Sequence, residues 1–72
     1  MTFKPLTSHG YIILRNGEPI IYNDDNTVIV SFNPHDITFF HSKRTAQVNA
    51  DFLNDNAYGI IYTIQEVLFI MS

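Results

Sequence analysis

Two strand-like segments of this chain are apolar along their whole length, so both faces of each strand carry oily side chains. They are residues 11–14 (YIIL) and 67–71 (VLFIM). An antiparallel sheet with one face in water alternates apolar and polar residues, whereas an unbroken apolar run needs cover on both faces. The chain offers a single short helix for that cover. The pattern therefore predicts that another protein chain supplies the missing layer.

The length of the chain limits how a core can be stabilised. Seventy-two residues predict a single domain over 1–72, near the lower size limit for an unassisted core. Domains this small usually rely on disulfides, a metal or association with another chain. The chain has no cysteine, which excludes disulfides and cysteine-ligated zinc. An efficient core or association remains. We expect association, with a homodimer as its form, and no cofactor.

Charge and hydropathy indicate a soluble cytoplasmic protein. The net charge of −3 favours solubility and repels phosphate groups. Residues 1–6 lack the apolar stretch of a signal peptide, and the apolar run at 67–71 is far too short to span a bilayer. We expect no membrane association and a location in the cytoplasm. If a phage encodes the chain, that is the cytoplasm of the host cell.

The strongest local signal is a two-residue turn at Asn16 and Gly17. Asn-Gly between apolar runs is a favoured hairpin turn because both central residues must adopt positive φ. The resulting register places Arg15 opposite Glu18. Pro19 has no N–H group, so it must lie at a sheet edge or past the end of the next strand.

The remaining elements predict an α+β fold in the order β-β-β-α-β, with one antiparallel sheet of about four strands and one helix packed on one face. Turn-forming residues occupy 23–26 and 33–36. Residues 37–40 form either a short extended segment or the continuation of the third strand. The last strand, straight or bent at 65–66, returns to pair with the first or the third. The predicted strands are residues 11–15, 18–22, 27–32 and 60–70.

A helix is predicted over residues 43–53, with Ser42 as its N-cap. At 100° per residue, Ala46, Ala50 and Leu53 share one stripe. Because alanine is small, this stripe allows the helix to lie close to a sheet, and we expect it to be buried.

Val48 and Phe52 form a second apolar stripe, roughly opposite the first. Either a curved sheet buries this stripe as well, or the stripe is exposed and used for association, as contiguous apolar patches on small soluble proteins usually are. Nearby acids could steer the chain towards a basic partner surface. The predicted protein interface comprises Val48, Phe52, Asp51, Asp55, Asp24 and Asp25.

A third interpretation, a small hydrolase that uses the histidines, has little support in the sequence. His9, His35 and His41 follow no metal-ligand spacing. Two of them neighbour a serine in sequence, and sequence neighbours seldom face each other as nucleophile and base must. We therefore expect no catalytic, cofactor-binding or metal-binding residues.

The alternative function is a small RNA- or DNA-binding module. Lys43 and Arg44 begin the helix, beside His41 and the aromatic residues Phe39 and Phe40. Aromatic residues on sheets stack on RNA bases in several binding modules. Two adjacent cations in an acidic chain are nevertheless a small electrostatic footprint.

The whole chain resembles small accessory proteins of bacteriophages and prophages, a group that includes anti-restriction and anti-CRISPR inhibitors. The resemblance implies a single sheet with one helix that binds a bacterial host or defence protein and blocks it sterically. It assigns no functional residue. The segments that carry it are residues 13–18 (ILRNGE), 40–46 (FHSKRTA) and 62–67 (YTIQEV).

Overall fold

A computed structural model describes the backbone of residues 6–71 and the side-chain surroundings of residues 9–68. Within them lie four strands and one helix: β1 Leu6–Arg15, β2 Glu18–Tyr22, β3 Val28–Val30, α1 Lys43–Asp55 and β4 Tyr62–Met71. The strands form one open antiparallel sheet in the order β3-β2-β1-β4. The α+β fold and the order β-β-β-α-β are confirmed, and the last strand pairs with the first.

The first hairpin has the predicted register, with Arg15 opposite Glu18. Asn16 and Gly17 adopt φ values of 49° and 85°. Positive φ at both central residues gives a turn whose twist matches that of the flanking strands. The second turn forms where predicted as well, and Asn26 within it has a φ of 67°.

The third strand is shorter than predicted. The prediction covered residues 27–32, but the strand ends at Val30. The amide of Ser31 still donates a 3.0 Å hydrogen bond to the carbonyl of Pro19, and the ladder stops there because proline has no N–H to return. Pro19 therefore lies past the end of its neighbouring strand, as expected. Phe32, at the end of the predicted strand, lies outside β3 and is 71% exposed.

A short extended segment fills a gap that opens between β1 and β2 beyond the hairpin. Phe40 exchanges two backbone hydrogen bonds with Tyr11, of 2.7 and 2.8 Å. The amide of Thr38 donates to the carbonyl of Ile20 at 3.2 Å, and its hydroxyl accepts from the amide of Tyr22 at 2.7 Å. The segment thus satisfies backbone groups on both neighbouring strands.

The helix begins and packs as predicted. Ser42 is the N-cap, and its hydroxyl accepts a hydrogen bond from the amide of Thr45. Ala46 and Ala50 are fully buried and Leu53 is 7% exposed. The helix packs over β1 and β4, because the two alanines leave no bulk between its backbone and these strands.

The core lies between this helix face and the sheet. Ile13 of β1 and Ile20 of β2 are its most completely buried large side chains. Each contributes roughly 1.5–3 kcal/mol relative to an exposed position. The central cluster consists of Ile13, Ile20, Ala50, Leu53 and Tyr62.

The opposite face of the sheet is covered in part by the chain itself. Gly10 is buried within β1, and a Cβ atom there would overlap the ring of Phe39. Ile12, on the same face as Gly10, is 8% exposed. The expectation that another chain must supply the whole missing layer is therefore too strong, since the connection from β3 to α1 returns over this face. Ile29 of β3, which points the same way, stays 54% exposed.

Candidate protein-binding surface

The second stripe of the helix is exposed. Val48 is 59% and Phe52 is 48% exposed, on the side of α1 away from its buried residues. Of the two alternatives left by the sequence, burial by a curved sheet does not occur in the part of the chain that the structure describes. These two side chains are available to a partner.

Phe52 also lines a groove between α1 and the β2–β3 hairpin. Because α1 lies over β1 and β4, the helix-facing side chains of Tyr22, Val28 and Val30 are only half covered, whereas Ile20 between them and the core is buried. The groove has a volume of about 450 Å³. Its apolar walls are Phe52 on the helix and Val28 on the sheet, and Arg15 adds a cation. The other lining residues are Asn26, Leu53, Asn56, Ala57 and Tyr62.

A second, more polar groove of about 300 Å³ lies between the helix and the same hairpin. Asp24 lines it from the β2–β3 turn and Asn49 lines it from the helix. Asn26 lines both grooves. The acidic turn and the flank of the helix that carries Phe52 therefore border one continuous stretch of surface.

Asp25 is engaged within its own turn. Its Oδ1 accepts hydrogen bonds from the hydroxyl of Thr27 at 2.6 Å and from the amide of Thr27 at 3.1 Å. These two hydrogen bonds lower the pKa of the Asp25 carboxyl below its ordinary value, and the bond from the Thr27 hydroxyl has the larger effect. Hydrogen bonds to the charged form favour it. Asp25 thus stabilises the turn that borders the grooves.

The two acids on the helix are exposed. Asp51 accepts a 2.9 Å hydrogen bond from the side-chain amide of Gln47, one helical turn earlier. Asp55 is the last residue of α1. They lie close in sequence to Phe52, so they add negative charge beside the apolar stripe.

The three histidines lie in separate elements. His9 on β1 is 3.4 Å from the carboxylate of Glu66 on β4. The backbone amide of His35 donates to the side chain of Asn33 in the loop after β3. His41 precedes the helix. Among the described residues, no group of three histidine, cysteine or acidic side chains is placed to hold a metal ion.

Lys43 and Arg44 are exposed at the helix start, but the two phenylalanines before them do not share one surface. Phe40 packs against the core cluster, whereas Phe39 lies against Gly10 on the other face of the sheet. Adjacent residues of an extended segment point to opposite faces. His41 meets the edge of the Phe39 ring, with centroids 4.9 Å apart. The two phenylalanine rings are thus separated and cannot stack neighbouring bases together.

The role of Asn54 was not identified from the sequence. The side-chain amide of Asn54 donates to the carbonyl of Tyr62 at 2.8 Å, and its oxygen accepts from the amide of Tyr62 at 2.7 Å. The side chain therefore pairs with β4 as a neighbouring strand would. No sequence pattern separates this asparagine from those that simply form turns.

Comparison of the chain with protein-family models, curated proteins and solved structures finds no match. Across the described residues, no helix is both long enough and apolar enough to cross a membrane.

Proposed function

We propose that this chain is a non-enzymatic protein-binding module. The observation that carries the proposal is the exposed stripe of Val48 and Phe52, which continues into the groove against Val28. Contiguous exposed apolar surface on a small protein usually marks an interface. Aromatic side chains at the centre of such surfaces supply much of the binding energy.

The partner we propose is a bacterial host or defence protein. The chain would block it sterically, in the manner of a phage-type inhibitor. The support is the resemblance to phage accessory proteins and the acidic margin of the surface. Asp24, Asp51 and Asp55 surround the apolar stripe and could speed encounter with a basic surface. The chain also self-associates in this proposal, because a domain of 72 residues without cysteine gains stability from a second copy.

The test uses three forms of the tagged chain: wild type, Phe52→Ser and Tyr58→Ser. Tyr58 is fully exposed and lies outside both grooves, so it is a matched aromatic control. Truncating a central aromatic anchor typically costs at least ~2 kcal/mol of binding. Affinity capture from bacterial lysate should recover a protein with wild type and Tyr58→Ser that Phe52→Ser does not retain.

Two results would contradict the proposal. One is recovery of the same proteins by all three forms, which would place binding elsewhere. The other is loss of capture by Tyr58→Ser as well, which would indicate non-specific adhesion. Circular dichroism spectra of the three forms establish that each is folded before the comparison is made.

A further inference from the structure

In the part of the chain that the structure describes, the outer edge of β4 is open over most of its length. Within residues 6–71, β4 stands at one end of the sheet and pairs with β1 alone. An open edge presents unpaired N–H and C=O groups that act as a template for another strand. The edge at the other end of the sheet, β3, is only three residues long, so β4 offers the longer template.

The hydrogen bonds of β1 determine which groups of β4 point outward. Tyr11 uses its N–H and C=O for Phe40 on the side away from β4, so the Tyr11–Glu66 pair is of the kind that exchanges no hydrogen bonds. The backbone groups of Glu66 therefore face the outer edge. By alternation, so do those of Ile64, Leu68 and Ile70.

Tyr62 also points its backbone groups outward, but these are already bonded to the Asn54 side chain. Asn54 thus closes the edge at the first residue of β4. The free template begins at Ile64 and runs towards the far end of the strand.

We propose that two copies of the chain pair antiparallel along this edge, about a two-fold axis at Val67, doubling the four-stranded sheet. The proposal rests on the self-association included in the proposed function and gives it a geometry. Glu66 exchanges hydrogen bonds with Leu68 of the second copy, and Ile64 does so with Ile70 of the second copy.

The charge of β4 favours a second copy as the occupant. Glu66 is the only charged residue in the strand (YTIQEVLFIM), so a partner strand must also be apolar and nearly uncharged. β4 meets that requirement itself. An isologous contact of this kind closes as a dimer and leaves no further β4 edge exposed.

Two other registers are less favourable for reasons visible in the structure. Centring the axis on Glu66 would place two carboxylates directly opposite, which destabilises a cross-strand pair. Centring it on Gln65 would bring Leu68 opposite Tyr62 of the second copy, whose backbone groups Asn54 already occupies. The Val67 register uses the free groups alone.

The hydrogen-bonded contact between α1 and β4 lies away from the proposed two-fold axis. Tyr62, where α1 reaches β4, lies roughly 17 Å from Val67 at about 3.3 Å per residue. The two-fold axis places the second helix at the same distance in the opposite direction. Both helices lie on the same face of the joined sheet, so the dimer presents two copies of the Val48–Phe52 surface and can bind bivalently.

Because the chain has no cysteine, single-cysteine variants report the register directly. Residues facing each other across a non-hydrogen-bonded antiparallel pair have Cα atoms about 4.5 Å apart, within the range of a disulfide. We compare Val67→Cys, Gln65→Cys and Ile29→Cys, the last on the other edge strand. Valine and cysteine are close in size, and circular dichroism verifies the fold of each variant.

In a glutathione redox buffer, Val67→Cys should form covalent dimer at least on the order of tenfold faster than the other two variants, because pairing raises its effective concentration. Sedimentation of the wild type should give a mass near twice the 8.3 kDa of one chain. Equal rates, a faster Gln65→Cys or Ile29→Cys, or a monomeric wild type would overturn the proposal. A monomeric wild type would also remove self-association from the proposed function, whereas a different register would overturn only the geometry. None of these outcomes bears on Phe52-dependent capture, so the binding proposal and the pairing proposal can fail separately.

Discussion

The contact between Gly10 and Phe39 gives the sharpest test of the packing on the face of the sheet opposite the helix. Gly10 is buried, and three atoms of the Phe39 ring lie where its Cβ would be. Gly10→Ala therefore forces the ring, or the segment that carries it, to move. The sequence offered no sign of this contact, since an isolated glycine there reads as a residue near the start of a strand.

The expected cost follows from two opposing terms. Overpacking by one methyl group typically costs 1–3 kcal/mol, taken here as about 2. Replacing glycine by alanine within a strand recovers roughly 0.5–1 kcal/mol of backbone entropy. Gly10→Ala should therefore lower the free energy of unfolding by about 1 kcal/mol. A domain of this kind has a total of only ~5–15 kcal/mol, so the change is measurable.

A double-mutant cycle separates the steric clash from other effects. Phe39→Ala removes the ring and costs stability by itself, but Gly10→Ala on that background should no longer be destabilising. Urea unfolding of the four proteins, followed by circular dichroism, should give a coupling energy of about 1–3 kcal/mol, well above the ~0.5 kcal/mol expected of independent sites. Additive effects, or Gly10→Ala as stable as wild type, would refute the reasoning.

Three further outcomes follow from the same structure. Gly17→Val places a β-branched residue at a φ of 85° and should cost about 1–3 kcal/mol; unchanged thermal unfolding would contradict the turn. Leu53→Ala should cost ~2–5 kcal/mol of stability, whereas Phe52→Ser should change it by less than about 1 kcal/mol. If Phe52→Ser lowers the thermal unfolding temperature more than Leu53→Ala does, the helix is rotated relative to the described orientation. Since hydrogen bonds lower the pKa of Asp25, the turn should be stabilised above the unfolded-state pKa and lose that contribution as pH falls through the folded-state pKa. A carboxyl titration by NMR, with Asp25→Asn as the control for the stability curve, should show the lowered midpoint, and an ordinary midpoint would contradict it.

Elements set by local rules could be predicted from the sequence. The hairpin follows from the positive φ that Asn16 and Gly17 tolerate, and the start of the helix follows from the hydroxyl of Ser42. The buried stripe through Ala46 follows from the helical period alone. Each of these depends on neighbours within a few residues, which is the range over which sequence patterns carry information.

Features set by contacts between distant segments could not be predicted. Thr38 lies between β1 and β2 because those strands separate, and nothing near Thr38 in sequence reports that separation. The end of β3 depends on Pro19, on a different strand. For the candidate surface, the periodicity of α1 indicated Val48 and Phe52, but the groove beside them exists because the helix lies over β1 and β4, which only the assembled sheet determines.

Two asparagine side chains bind backbone groups at the start of the last strand, which β1 pairs along its length. The Oδ1 of Asn16 accepts the amide of Ile61 at 2.9 Å, across 45 positions of sequence, and Asn54 pairs with both backbone groups of Tyr62. Each side chain replaces a strand neighbour that the fold does not supply, which satisfies groups that would otherwise lose a hydrogen bond. Beyond Tyr62 there is no such substitute among the described residues, and β4 continues to Met71 with its outer groups open. Asn54 therefore closes the outer edge of β4 at Tyr62, while β1 pairs with the inner edge along the whole strand, and the proposed contact with a second copy uses the outer groups that remain.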